Sequence, residues 1–178
     1  INGKLMHTYT FASKVRAEFL EKLVEITPKQ FEKAFLLSAG TEATECAVKL
    51  MRMHGRKTSP SRVGIISFRG SMHGRTMAAE MLKGDPASSD WIGYMDPNIH
   101  HLDFPYPWTA GGDVDWVKRF REDMDKLLKK GAKIKNICGF MIESYVGWGA
   151  VFFPKQYMQE LCVFAKKRGI LVTFDDIQ

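Results

Sequence analysis

A short polar segment, Ser38-Ala39-Gly40-Thr41-Glu42-Ala43, stands between an apolar run and a predicted helix. A chain that breaks at Gly40 and starts a helix at Thr41 presents free backbone N–H groups and a hydroxyl together at the positive pole of that helix. Such an arrangement can bind an anion such as phosphate. The same residues also suit an ordinary helix cap formed by Thr41, so this segment alone leaves both interpretations open.

A second polar segment, Arg69-Gly70-Ser71-Met72-His73-Gly74-Arg75-Thr76, follows another apolar run. A histidine beside a glycine at the end of a strand can point into a cleft and exchange protons near neutral pH. Met72 has a polarizable side chain that can lie against the face of a ring. A turn that carries a histidine on the surface is the alternative.

Two carboxylates, Glu143 and Asp175, directly follow apolar runs of the kind that form buried strands. A carboxylate at such a position is nearly buried, so it needs a partner or a chemical task. Asp175 could hold a protonated ring nitrogen, which is the task of the acidic partner to the pyridinium nitrogen in pyridoxal phosphate enzymes. A helix cap or a metal ligand is the alternative for Asp175 taken alone.

The elements that must position these residues alternate between helices and strands. Apolar spacing predicts helices over 12–26, 41–54, 76–82, 114–130 and 155–168, and strands over 34–37, 63–68, 137–142 and 170–174. The helix over 114–130 has Asp113 as its expected N-cap, and residues 84–112, with four prolines, are expected to form a loop.

This alternation predicts an α/β fold. Strands that are apolar on both faces and are separated by helices indicate a three-layer α/β/α architecture with a mostly parallel sheet. Ligands bind at the carboxyl ends of such strands. The polar segments should therefore meet at one edge of the sheet.

Composition limits the class of protein further. The chain has 178 residues and a net charge of +6, and no apolar run approaches the about 20 residues of a membrane span. We therefore expect no membrane partner. Three widely spaced cysteines form neither a disulfide framework nor a zinc pattern, so we also expect a reducing, cytoplasmic compartment and no metal site. The lysine clusters alternate with acidic residues and lack aromatics, which favours solvated helix ends over nucleic-acid binding.

Together the motifs resemble those of the class III aminotransferases, the ornithine and 4-aminobutyrate aminotransferase-like group of fold type I pyridoxal-phosphate enzymes. The matching segments are 38–45, 72–76, Glu143 with its following glycines, and 169–178. The resemblance implies that residues 1–178 are a central fragment, an incomplete cofactor-binding large domain. The N-terminal segment, the Schiff-base lysine region and the C-terminal small domain would be absent from it.

The resemblance also implies how pyridoxal 5'-phosphate is held. Gly40 and Thr41 would bind the phosphate. Met72 would stack on one face of the pyridine ring, where this family usually has an aromatic residue, and Ile177 would lie on the other face. His73 would lie beside the ring.

Polar groups around the ring complete the implied site. Asp175 would pair with the pyridinium nitrogen and keep it protonated, while Gln178 would hydrogen-bond near the ring hydroxyl and Glu143 would line the site. Trp148 stands between two glycines where 4-aminobutyrate-type members have a glutamate that often pairs with a substrate-gating arginine. We therefore expect a bulky or apolar amine substrate rather than 4-aminobutyrate.

The implied reaction is transamination between a primary amine or ω-amino acid and a keto acid, carried out by a homodimer. A pyridoxal-phosphate-dependent decarboxylase, epimerase or aminomutase of the same fold, or a non-catalytic α/β binding module, is the alternative. A Rossmann-type nucleotide site is disfavoured because the required glycines are missing. In this family the Schiff-base lysine lies beyond the motif of Asp175, so no lysine here is assigned that role, and we expect the 178 residues alone to be inactive.

Overall fold

A computed structural model describes residues 12–109 and 112–178 of the chain. The chain divides into two compact units, Ile1–Ser38 and Ala39–Gln178. In the described part of the first unit, helix α1 spans Lys14–Ile26, as predicted. Its apolar residues, including Phe19 at 53% exposure, are not buried among the described residues.

The strand predicted over residues 34–37 is wrong. These residues belong to no strand, and Phe35 and Leu37 are exposed. A short apolar run becomes a strand only where a neighbouring strand takes up its backbone hydrogen bonds. Within the described residues, no strand pairs with this run.

The second unit contains a four-stranded sheet with the order β2-β1-β3-β6. The strands of the chain are β1 (Gly64–Phe68), β2 (Ile99–Leu102), β3 (Ile137–Ile142), β4 (Tyr145–Val146), β5 (Val151–Phe152) and β6 (Leu171–Phe174). All three pairings of the large sheet are parallel, with Ile65 opposite Ile99 and Phe140 opposite Val172. The short strands β4 and β5 form a separate antiparallel pair. The predicted mostly parallel sheet is therefore confirmed.

Helices precede or follow most strands of this unit. They are α2 (Gly40–Arg56), α3 (Met77–Leu82), α4 (Pro86–Ser89), α5 (Trp116–Lys129) and α6 (Lys155–Lys167). Four of the five predicted helices of the chain therefore lie here, with ends that differ from the prediction by at most two residues. The N-cap of α5 is Asp115, which accepts a hydrogen bond from the Lys118 amide, and not the predicted Asp113.

The expected loop over 84–112 is wrong in part, because β2 and α4 lie within it. Strand β2 is an edge strand with the sequence Ile-His-His-Leu, so it has no continuous apolar run that would predict it. His101 lies 2.9 Å from the Met81 carbonyl oxygen through its Nε2. This contact ties the edge strand to the end of α3.

Helices cover both faces of the sheet. Phe68 and Phe140 pack with residues of α5 and α6, including Phe120 and Tyr157, in one apolar cluster. A second cluster joins the opposite face of β1 and β3 to residues of α2 and α3. Phe140, Met141 and Ile142 at the end of β3 alternate between the two clusters, as a strand buried on both faces requires. The three-layer α/β/α architecture is confirmed.

In the ranges that the structure describes, no helix is both long and apolar enough to span a bilayer. The three cysteines are free thiols, and burial raises the pKa of the Cys138 thiol to about 11.

Candidate functional site

The carboxyl ends of three parallel strands bring the predicted polar segments to one edge of the sheet. Residues 69–76 follow β1, Glu143 follows β3, and Asp175 follows β6. Helix α2 begins at the same place, because the Thr44 hydroxyl on its second turn lies 3.5 Å from the Asp175 carboxylate. The segment predicted to bind an anion thus lies at a helix start, and residues 12–39 before it contain no strand.

Helix α2 begins without a side-chain cap at its N-cap position. Its N-cap is Ala39, which has no side-chain acceptor, and the helix starts at Gly40. Thr41 therefore lies inside the first turn, so the alternative in which Thr41 caps the helix is wrong. The N–H groups of a first turn without a side-chain cap carry partial positive charge and favour an anion.

His73 is buried and lies beside Asp175. Its Nδ1 is 2.9 Å from Asp175 Oδ2, and its Nε2 is 3.4 Å from the Ser67 hydroxyl oxygen. Because a carboxylate can only accept, Nδ1 carries the proton in this pair. The alternative of a surface histidine is wrong, since the His73 side chain is completely buried.

Asp175 is held in a single orientation by several contacts. Its Oδ2 contacts His73 Nδ1 and the Thr44 hydroxyl, and its Oδ1 accepts a hydrogen bond from the Ile177 amide at 3.4 Å. The side chain is 12% exposed, so the carboxylate is fixed at the rim of a cleft rather than free in solvent. A fixed carboxylate that keeps some access to the cleft can receive a cationic group of a ligand.

One cleft, of about 320 Å³, lies between α2 and the end of β6. We call it the α2 cleft. Its lining includes Gly40, Thr44, Asp175 and Ile177. A Cβ added at Gly40 would lie 3.3 Å from Ile177 Cγ1, so the glycine leaves room for close approach between helix and cleft wall.

A second cleft, of about 520 Å³, lies around the segment after β1. We call it the Met72 cleft. Its lining includes Met72, Glu143, Trp148 and Gln178. Four predicted residues therefore share one cleft, while Gly40, Asp175 and Ile177 share the other.

Thr41 lines neither cleft and instead contacts the segment after β1. A Cβ added at Gly74 would lie within 3.0 Å of three side-chain atoms of Thr41. Gly74 also has φ +125°, a conformation that L-residues with a side chain rarely adopt. Gly74 thus permits close packing of this segment on the first turn of α2.

Glu143 is the least satisfied charged group of the site. Its Oε2 accepts a hydrogen bond from the Met72 amide at 2.9 Å, whereas Oε1 is buried and lacks a partner within hydrogen-bonding geometry among the described residues. Burial raises the pKa of the Glu143 carboxyl, although His73 and the Met72 and Gly147 amides act in the opposite direction. A buried acceptor of this kind in a cleft is suited to a donor on a ligand.

Trp148 lies in a short 3₁₀ helix, Gly147–Gly149, and its indole Nε1 donates to the Gly70 carbonyl oxygen at 2.7 Å. The residue as a whole is 67% exposed, and it lines the Met72 cleft. Gln178 packs on Gly147, because a Cβ there would lie 2.6 Å from Gln178 Cγ.

Two cations of the Met72 cleft, Arg75 and Lys83, are absent from the prediction. Arg75 stands in the same motif as Met72 and His73, so its position in sequence was a signal that could have identified it. Lys83 directly follows α3 and contacts Asp85 at 3.4 Å, and no sequence pattern marks it as part of a cleft.

The chain belongs to the class III aminotransferase family, because the family model for class III aminotransferases matches residues 2–178. The resemblance found in the motifs is therefore confirmed. The chain is similar to the mitochondrial acetylornithine aminotransferase of Candida glabrata, at 30% identity over 98% of this chain. It spans only 39% of the length of that relative.

Solved structures of the same kind share the fold. An (S)-enantioselective omega-transaminase from Thermomicrobium roseum matches with a TM-score of 0.80 and 30% identity, over 92% of this chain and 37% of that one. The PMP-bound form of an aminotransferase from Vibrio fluvialis matches with a TM-score of 0.75 and 28% identity, over 92% and 37% of the two chains. These matches confirm a fold type I architecture.

Proposed function

We propose that the protein containing this chain is a pyridoxal-phosphate-dependent aminotransferase that moves an amino group from a primary amine or ω-amino acid to a keto acid. The observation that carries the proposal is the Asp175 carboxylate at the end of β6, held by His73 at 2.9 Å. Membership of the class III aminotransferase family supports it.

The residues of the site fit this cofactor on three observations. Helix α2 has no side-chain acceptor at its N-cap, which suits a phosphate group. The fixed carboxylate of Asp175 suits a protonated ring nitrogen. The buried Oε1 of Glu143 has no hydrogen-bond partner among the described residues, which suits a donor on the cofactor or the substrate.

Each residue then has a task in holding the cofactor. The amides at Gly40 and Thr41 would bind the phosphate, and Met72 and Ile177 would contact the ring from opposite sides. Asp175 would keep the ring nitrogen protonated, with His73 orienting its carboxylate. When bound, pyridoxal phosphate supplies an electron sink for the carbanion formed at the substrate Cα.

Gln178 and Glu143 complete this proposed arrangement. Both line the Met72 cleft, where Gln178 would hydrogen-bond near the ring hydroxyl. Glu143 would accept a hydrogen bond at the substrate side, while its other oxygen holds the Met72 amide. The structure places Met72 and Ile177 on different clefts, so their joint contact with one ring is part of the proposal.

The substrate would enter the Met72 cleft. Arg75 is exposed there and forms no ion pair among the described residues, so its guanidinium is available for the carboxylate of a keto acid or amino acid. Trp148 would contact the apolar part of the amine donor. We therefore propose a bulky or apolar amine in preference to 4-aminobutyrate.

We further propose a cytoplasmic homodimer without nucleic-acid or membrane partners. The three free thiols favour a reducing compartment. Lysines in the last turns of α5 and α6 complement the helix dipoles, which is a sufficient reason for their presence there. Cell fractionation and analytical ultracentrifugation of the gene-encoded protein test these points.

The test of function uses the gene-encoded protein supplied with pyridoxal phosphate. We expect amino transfer from an aromatic or branched primary amine to a keto acid, and a loss of about 100-fold in kcat for Asp175→Asn, the size expected for one lost electrostatic partner in an active site. Asp103→Asn is the matched control, because Asp103 is an exposed carboxylate that pairs with Arg69 outside both clefts.

Unchanged turnover in Asp175→Asn would contradict the proposed role. Product analysis separates the other outcomes. Release of carbon dioxide, racemised substrate or an isomeric amine would indicate the decarboxylase, epimerase or aminomutase alternatives. Absence of any turnover would indicate a binding module.

A further inference from the structure

We propose that Glu45 is a positioning residue for residues 71–76, the segment that carries Met72 and His73. Its carboxylate caps α3 from the neighbouring helix α2 and so fixes the C-terminal end of this segment. The inference rests on the proposed function, because it concerns the same cofactor site.

The geometry of Glu45 is that of a helix cap supplied by another helix. Its Oε1 accepts hydrogen bonds from the Thr76 hydroxyl at 2.5 Å, the Ala78 amide at 3.0 Å and the Ala79 amide at 3.2 Å. Ala78 and Ala79 are the second and third residues of α3, whose amides an N-cap normally satisfies. Thr76 occupies the N-cap position but makes no side-chain cap itself.

Glu45 lies on the face of α2 that meets the site. Thr41, Thr44 and Glu45 are three and four residues apart, so they point to one side of the helix. Thr41 packs against Gly74, and the Thr44 hydroxyl lies 3.5 Å from the Asp175 carboxylate. One helix face therefore contacts both the segment and the carboxylate proposed to meet the ring.

The opposite end of the segment is held by a second carboxylate. Glu143 accepts the hydrogen bond of the Met72 amide at 2.9 Å. Between these two anchors, His73 reaches Asp175 at 2.9 Å. Loss of the Glu45 anchor would release one end of the segment, so that Met72 and His73 no longer keep their positions relative to Asp175.

The experiment compares Glu45→Ala and Glu45→Gln with a matched control in the gene-encoded protein. The control is Asp115→Ala. Asp115 caps α5 by accepting a hydrogen bond from the Lys118 amide at 2.9 Å, and it lies in neither cleft. Two quantities are measured: hydrogen exchange of peptides covering residues 72–82 without cofactor, and the Kd for pyridoxal phosphate by equilibrium dialysis.

We expect Glu45→Ala to accelerate exchange in α3 and to raise the Kd about tenfold, within the range that a lost cap produces. Glu45→Gln keeps an oxygen acceptor, so its Kd should rise by no more than about threefold. Asp115→Ala should accelerate exchange in α5 only and leave the Kd within about twofold of the wild-type value.

Unchanged exchange in α3 together with an unchanged Kd would overturn the proposal. An equal rise in Kd for Glu45→Ala and Asp115→Ala would also overturn it, because general destabilisation would then explain both. If Glu45→Ala does not fold, hydrogen exchange of α3 in Glu45→Gln decides: faster exchange than in the wild type is expected, because a neutral amide oxygen is a weaker acceptor, and unchanged exchange would overturn the proposal. Failure of the proposed function is recognisable separately, since the wild-type protein itself would not bind pyridoxal phosphate, while the exchange of α3 would still report on the cap.

Discussion

The carboxyl group of Glu143 is buried, and only one of its two oxygens is hydrogen-bonded among the described residues. Burial raises the pKa of this carboxyl above its ordinary value of 4.5. A raised pKa in the folded state means that the folded protein holds the proton more tightly than the unfolded chain does. The stability of the cofactor-free protein should therefore fall as the pH rises from about 4.5 through the raised pKa.

The substitution Glu143→Gln tests this relation. At pH 7.5 the variant should have a higher free energy of unfolding than the wild type, because the amide removes the cost of the buried charge and can still accept from the Met72 amide. Below pH 4.5 the difference should vanish. Urea denaturation at both pH values measures it, with exposed Glu122→Gln as the control. A gain that grows toward low pH would contradict the prediction.

The sequence alone identified several residues of the candidate site, but it did not predict which of their side chains contact one another. Asp175 and Glu143 stood out because a carboxylate after a buried apolar run needs a task. The pairing of His73 with Asp175 joins residues 102 positions apart, and only the parallel order of β1, β3 and β6 brings them together. The assignment of individual cofactor contacts stays a prediction.

At the scale of elements, two glycines let α2 pack directly against the sheet. Gly55 is buried in its last turn, and a Cβ there would lie 2.6 Å from Cys138 Cβ and still closer to the Arg62 carbonyl oxygen. Gly139 of β3 similarly accommodates Met51 of α2. Two glycines thus allow the helix that carries Gly40 and Glu45 to approach the strands.

Gly55→Ala should destabilise the protein although alanine favours helices. The better helix propensity is worth about 1 kcal/mol, whereas overpacking against backbone costs about 1–3 kcal/mol and shifts the helix. We expect a net loss of about 1 kcal/mol in urea denaturation, accompanied by a weaker Kd for pyridoxal phosphate. Gly93→Ala is the control, because Gly93 has φ +77° but nothing within 4 Å, so it tests backbone strain alone. Stabilisation by Gly55→Ala would contradict the close packing.

Helices and strands with a regular or continuous apolar pattern were predictable from the sequence. Segments whose structure depends on pairing with a neighbouring strand were not. The strand over 137–142 and the helix over 155–167 follow from continuous or regularly spaced apolar residues. The edge strand β2 contains two histidines and becomes a strand by pairing with β1. Residues 34–37 have the apolar composition of a strand without a described pairing partner.

At the scale of the whole molecule, the fold brings Lys and Arg residues that are far apart in the sequence to one end of the sheet. The segments 56–63, 129–136 and 166–169, which run from helix ends into β1, β3 and β6, together contain ten Lys and Arg residues and no Asp or Glu. Arg62 links them, because it donates to the carbonyl oxygens of Ile137 and Arg168. We call this surface the amino edge; it lies at the opposite end of the strands from Asp175.

The amino edge should govern the surface charge of the chain without affecting the cofactor site. Changing Lys57, Lys133 and Lys167 to Glu alters the charge by two at each position, which takes the net charge from +6 to 0. We expect retention on a cation exchanger at pH 7 to be lost in this triple variant and kept when the same lysines become Arg.

The Kd of the gene-encoded protein for pyridoxal phosphate should change by less than about twofold in the same triple variant. The reason is distance, since the five residues of β1 span about 17 Å, whereas charges are screened over about 8 Å at physiological salt. Equilibrium dialysis at low and at physiological salt measures the Kd, with the Arg variant as the control. A change of tenfold or more at physiological salt would mean that the amino edge attracts the phosphate across the sheet, and that the proposed anion site at Gly40 does not act alone.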